Sequence, residues 1–213
     1  MEKIILDNVL PAVFAGTTPG GEVWQHTVTF EHGTRYQVIA ASGTGKSTLC
    51  AYLYGYRNDY TGKVYIDNAD ARTLDIDRWC DLRTHCIAYV PQDLRLFGTL
   101  TAIENCEIKS RLTGYRSVNE IKHMLASVGL GERMSSRVDH LSIGQQQRVA
   151  IVRALCQPFD FLIMDEPVSH LDEETNAAVA TLIEQELSHT GAGVVCTSVG
   201  NRLLMHFDKS LNL

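Results

Sequence analysis

Positive charge is scarce in this chain. Against 25 acidic residues stand 19 lysines and arginines, a formal net charge of −6. That balance argues against a general nucleic-acid binder, which is usually basic. Long hydrophobic runs are missing too: none approaches the ~20 apolar residues that a membrane-spanning helix needs. The chain itself is therefore not expected to cross a bilayer. The amino terminus does not read as a secretory leader, because Asp7 and Asn8 break its apolar run almost at once. Cys-x-x-Cys spacing is absent among the six cysteines, at 50, 80, 86, 106, 156 and 196. Neither a zinc site nor a thioredoxin-like motif is indicated. With nothing marking secretion, free and mostly buried thiols in a reducing cytoplasm are expected. There is no internal repeat, low-complexity tract or long linker.

What is present reads as an ordinary globular composition, 45% hydrophobic and 21% charged in 213 residues, enough chain for a substantial core. Short apolar runs alternate with turns at first. Ile4 to Phe14 leads to the turn Thr17-Thr18-Pro19-Gly20-Gly21, Val23 to Phe30 to a second turn, and Arg35 to Ala41 into a glycine-rich loop. These are expected to be strands of one meander. Ser47 to Tyr56 fits a helix, and Lys63–Asp67 and Cys86–Val90 fit strands. Further on, Ile121, Met124, Leu125 and Val128 follow i, i+3, i+4, i+7, a packing stripe on a helix over 119–130. Gly144–Cys156 and Glu173–Ser188 read as helices. Phe159–Met164 reads as a buried parallel strand, and Gly193–Thr197 as another. Strands alternating with helices imply a parallel sheet with a ligand site at the strand ends.

Five short signals follow in a fixed order. Ala40-Ala41-Ser42-Gly43-Thr44-Gly45-Lys46-Ser47 joins a strand to a helix. In such a loop backbone N–H groups cradle phosphate oxygens, and the helix N-terminus adds positive potential. Gln92 lies in Val90-Pro91-Gln92-Asp93. Leu141-Ser142-Ile143-Gly144-Gln145 opens a helix that Ser142 is suited to cap. Asp165-Glu166-Pro167 ends the apolar run Phe161–Met164, where burying charge without a cation nearby is costly. Ser169-His170-Leu171-Asp172 closes the series, and Asp172 can also cap the next helix.

Together these motifs resemble the ATP-binding subunit of ABC transporters, over essentially the whole chain. The resemblance implies an α/β fold: a P-loop NTPase core with a mostly parallel sheet, N-terminal antiparallel β strands and an inserted α-helical subdomain. It implies one domain over 1–213, with the core at 1–92 and 156–213 and the helical subdomain, carrying the signature motif, at 93–155. The implied cofactors are ATP and Mg2+. Ser42, Gly43, Thr44, Gly45, Lys46, Ser47 and Thr48 would hold the phosphates, Lys46 reaching the β- and γ-phosphates. Ser47, Gln92 and Asp165 would bind Mg2+. Glu166 would orient and polarise the attacking water, Gln92 would relay nucleotide state, and Ser198 would complete the catalytic set. Ser142, Gly144, Gln145 and Asp172 would meet ATP held by a second copy. Phe14 is the candidate to stack on adenine, with a core role as the equal alternative; Trp24 is the weaker candidate.

Three positions depart from the family's pattern: Ala40 and Ile143 stand where it has glycine, and Ser198 where it has histidine. Serine has no cationic form, and loss of one preorganised donor can cost roughly 10²–10³ in rate. The resemblance further implies a transmembrane permease partner, a head-to-tail homodimer formed on ATP, and a place on the cytoplasmic face of a membrane. No nucleic acid partner and no appended regulatory domain are expected. Two other readings stay open. One is a nucleotide-gated module with slow or no hydrolysis. The other is a soluble ABC ATPase acting on DNA or ribosomes, which the missing coiled-coil and zinc insertions, the single cassette and the net charge disfavour.

Overall fold

The computed structural model describes residues 1–17 and 19–213. In chain order it contains β1 (Lys3–Pro11), β2 (Thr27–Glu31), β3 (Arg35–Ile39), α1 (Lys46–Leu53), β4 (Tyr60–Ile66), β5 (Ala69–Asp70), α2 (Ile76–His85) and β6 (Ile87–Val90). Then follow α3 (Ala102–Thr113), α4 (Val118–Ser127), α5 (Ile143–Leu155), β7 (Phe161–Asp165), α6 (Glu173–Thr190), β8 (Gly193–Ser198) and β9 (Lys209–Asn212). Of the turn expected at 17–21, Thr18 lies outside the described residues.

The strands form two sheets. One is antiparallel in the order β2-β1-β4-β5; the other is parallel in the order β6-β7-β8-β3-β9. The single meander expected for the first three strands is therefore corrected. β1 and β2 pair antiparallel, Ile4 opposite Phe30, but β3 leaves them for β8 and β9. Tyr36, Gln37 and Val38 are all buried, as suits a strand covered on both faces. That demand outweighs the short link to β2.

Strand β7 positions everything else. Its alternating side chains split between two cores. Leu162 and Met164 pack with α3, α4, α5 and α6, whereas Phe161 and Ile163 face α1 and the antiparallel sheet. Full burial of each such side chain contributes roughly 1.5–3 kcal/mol, so β7 is held from both sides and its C-terminal carboxylates are carried on a rigid element.

The three helices between β6 and β7 begin alike. Thr101 with Glu104, Ser117 with Glu120 and Ser142 with Gln145 each form a reciprocal capping box, which satisfies N–H groups that a helix start leaves open. The stripe Ile121, Met124 and Leu125 is buried, as the periodicity predicts. Among the described residues no helix is long and apolar enough to cross a membrane.

Candidate active site

Strand β3 delivers the chain to the loop at its C-terminal end. Ala40 donates its N–H to the Ser198 carbonyl at 3.3 Å and is not among the residues with positive φ, so alanine is accommodated without strain. Gly45, by contrast, has φ 102°. A Cβ there would also lie 3.1 Å from Phe14 Cε2 and 3.2 Å from Trp24 Cζ2. Both facts require glycine. Below the loop Trp24, 1% exposed, donates its indole N–H to the Thr44 carbonyl at 3.0 Å. Trp24 is thus the loop's prop. Lys46 donates to the Ala41 carbonyl at 2.9 Å and its Nζ lies 3.5 Å from Glu166 Oε1.

The carboxylates sit where β7 ends. The β7–β8 register sets Asp165 beside Thr197. The Thr197 hydroxyl donates to Asp165 Oδ1 at 2.8 Å and accepts the Glu166 N–H at 3.2 Å. Asp165 is 1% exposed, and its Oδ2 is buried without any partner. Leaving such an acceptor unpaired costs about 1–3 kcal/mol, more for a charged group. Glu166 adopts φ 51°, a left-handed conformation uncommon outside glycine. Burial pushes the Cys50 thiol well up, which keeps it neutral.

One pocket of about 300 Å3 is lined by Val13, Phe14, Ser42, Gly43, Gly45, Lys46, Ser47, Thr48, Gln92 and Glu166. An adjoining cleft of about 620 Å3 joins Ser47 and Gln92 to Asp165, and Ser47 donates to Gln92 Oε1 at 3.2 Å. Thr44 lines a third cavity with Phe14, Gly43 and Trp24. The remaining expected residues line none of these three. Ser198 is 3% exposed at the end of β8. Ser142 and Gln145 are engaged in their capping box. Asp172 caps α6, and the Thr175 N–H holds its carboxyl below the usual carboxylate range. Gly144 packs against the 169–172 segment, where a Cβ would come 2.8 Å from the His170 carbonyl.

Several participants escaped sequence reasoning. Gln147 donates to the Glu166 carbonyl and to Ser169 Oγ, each at 3.1 Å, and accepts the His170 N–H. It ties α5 to the segment after the carboxylates. Arg153 donates to the Leu94 and Arg95 carbonyls at 2.6 Å. Those two residues have φ 56° and 47°, so the segment after Gln92 is unusual backbone clamped from α5. Burial lowers the Arg153 pKa, and each terminal nitrogen gives one N–H to these carbonyls. Val13, 69% exposed, lines the pocket beside Phe14 and was missed as well. Each of these roles is tertiary and leaves no local pattern.

A divalent cation fits this arrangement. Asp165 Oδ2 is an orphaned acceptor, and Ser47 and Gln92 oxygens share its cleft. Among the described residues no group of three His, Cys, Asp or Glu side chains converges. Such a sparse donor set suits Mg2+, which uses one or two carboxylates and keeps water and phosphate oxygens as its other ligands.

Known proteins resemble this chain in sequence and in fold. The ABC transporter family's sequence profile matches residues 24–169. The chain is 32% identical over 189 residues to the macrolide export ATP-binding/permease protein MacB of a Shewanella species, covering 87% of this chain and 29% of that protein. It thus spans under a third of the length of that relative. It is also 32% identical over 186 residues to the uncharacterized ABC transporter ATP-binding protein YbbA of Escherichia coli, covering 86% of this chain and 82% of YbbA. The dimeric post-hydrolysis structure of the ATP-binding cassette MJ0796, bound to ADP and Pi, superposes with a TM-score of 0.77 at 27% identity. The match covers 92% of this chain and 87% of that one. With its phosphate-type loop, paired carboxylates and mixed sheets, the chain belongs to the ABC transporter family as an ATP-binding cassette.

Proposed function

We propose that this chain binds and hydrolyses ATP with Mg2+, and that two copies close head to tail on ATP to drive a separate transmembrane permease from the cytoplasmic face. It would act as one domain, with 1–92 and 156–213 as core and 93–155 as the helical subdomain. The observation that carries the reading is the convergence on one loop of Lys46 and Glu166 in one pocket and the unpartnered Asp165 Oδ2 in the adjoining cleft, with Ser47 lining both. The N–H groups of residues 43–48 and the Lys46 ammonium would bind the β- and γ-phosphates. Ser47, Gln92 and Asp165 would hold the cation, which supplies charge neutralisation on the transferred phosphoryl group. Glu166 would take a proton from the attacking water as the water oxygen bonds to the γ-phosphorus and the bond from that phosphorus to the β-phosphate oxygen breaks, releasing ADP and phosphate. Ser142, Gly144, Gln145 and Asp172 would act across the dimer, where none is needed in its own pocket. The dimeric MJ0796 structures and the combined ATP-binding/permease name of MacB support these assignments.

The test is phosphate release from Mg2+·ATP by the parent and by Glu166→Gln. Turnover is expected to fall roughly 10²–10⁴-fold, the usual worth of a general base, with ATP binding kept and a dimer trapped. Equal turnover in the two proteins would sink the assignment. A second reading is favoured by Ser198, which is buried outside the phosphate pocket. On that reading the cassette closes on nucleotide but turns over slowly, and the parent would bind ATP tightly with negligible phosphate release.

A further inference from the structure

We propose that Thr197 is the positioning residue of the metal site: its one hydroxyl aims both Asp165 and Glu166. The inference rests on the metal–nucleotide reading above and adds a residue that reading did not contain.

Thr197 is completely buried and sits opposite Asp165 in the parallel pairing of β7 with β8. A threonine hydroxyl has one proton to give and two lone pairs to receive with. Here the proton goes to Asp165 Oδ1 at 2.8 Å. That bond fixes the carboxylate's rotation and occupies one oxygen, leaving Oδ2 as the acceptor still open. A lone pair of the same hydroxyl receives the Glu166 N–H at 3.2 Å, which also points to the Thr197 carbonyl at 3.3 Å. These bonds hold Glu166 at φ 51°, a strained backbone state for a non-glycine residue that persists only when its surroundings impose it. The left-handed turn brings the Glu166 carboxylate to 3.5 Å from Lys46 Nζ. One buried oxygen therefore orients the metal ligand through its proton and the water-activating carboxylate through its lone pair. Valine is nearly the same shape and would fill the same space, but it can do neither.

The test uses the full chain and Mn2+ as a paramagnetic stand-in for Mg2+, titrated in the presence of a non-hydrolysable ATP analogue and read by electron paramagnetic resonance. In Thr197→Val the Mn2+ affinity is expected to fall about 10- to 100-fold, the usual effect of removing an outer-shell partner of a metal ligand. Affinity for the analogue without metal should stay unchanged, because the hydrogen bonds of the Thr197 hydroxyl go to Asp165 and Glu166 and not to the phosphate loop. Thr197→Ser, which keeps the hydroxyl, should restore Mn2+ binding. Unchanged Mn2+ affinity in Thr197→Val overturns the inference. So does an equal loss of metal-free nucleotide binding, which would mark the hydroxyl as a support of the fold alone. If the parent itself retains no Mn2+ with the analogue, it is the Asp165 reading that fails. Should Thr197→Val not fold by circular dichroism, Thr197→Ala against Thr197→Ser makes the same comparison between two smaller side chains.

Discussion

Lys46 shows how much a single side chain can be asked to do. Its ammonium donates to the Ala41 carbonyl of its own loop and lies 3.5 Å from Glu166 Oε1. On the proposed reading, phosphate oxygens would take up the ammonium in place of these partners. Hydrogen bonds to charged groups contribute about 1.5–3 kcal/mol. Lys46→Ala is therefore expected to weaken ATP binding roughly 10- to 100-fold, as measured by titration calorimetry; an unchanged dissociation constant would contradict the phosphate-loop assignment. At this scale the sequence was largely legible. Lys46, Ser47, Asp165 and Glu166 stand out because loop glycines and an apolar run frame them. Thr197, Gln147 and Arg153 do not, because each acts on groups far away in the chain and looks locally like strand or helix filler.

Among elements, the helices between β6 and β7 share one device at their starts, and in α3 and α4 it carries a charge. The Ser117 backbone N–H, then the Ser117 hydroxyl, then Arg116 hold the Glu120 carboxyl down at about 2, from an ordinary 4.5. A carboxyl whose folded-state pKa is depressed stabilises the fold above its unfolded pKa and loses that contribution as pH falls towards the folded one. The window here runs from pH 4.5 down to 2. Because Glu120 is half exposed, solvent screens the effect and a modest one is expected. Melting curves of the parent and Glu120→Gln should differ at pH 6 and converge as pH falls through that window; a constant gap would show that the charge has no part in the cap. The sequence revealed α4, α5 and α6, whose buried faces are periodic. It hid α2, which buries only Leu82, and α3, whose buried face includes Asn105 and Ser110. It also hid β9, which has no buried residue. Elements held by polar or sparse contacts carry no hydrophobic signature to read.

For the whole molecule the consequence is linkage. A ligand that binds only the folded state stabilises it by about 2.7 kcal/mol at a hundredfold excess over its dissociation constant. For a chain of this size each kcal/mol moves the melting point by roughly 2–4 °C. ATP at that excess, in chelator to prevent turnover, should raise the melting temperature by about 5–10 °C, and Lys46→Ala should lose most of the rise. A rise of equal size in both proteins would place the nucleotide elsewhere. The parallel sheet was legible as a class from alternating strands and helices. The defection of β3 from its neighbour β2 was not, since partner choice between distant strands is decided by burial and not by adjacency.

The same topology sets a timetable. The glycine-rich loop belongs to residues 40–48, but the groups that complete its site arrive at 92, 165–166 and 197. At a synthesis rate of about 5–20 residues per second, the loop is made roughly 7–30 s before Thr197. Contacts between such distant stretches also form late in folding, because loop closure must precede them. The complete proposed site therefore exists only once strand β8 has paired with β7.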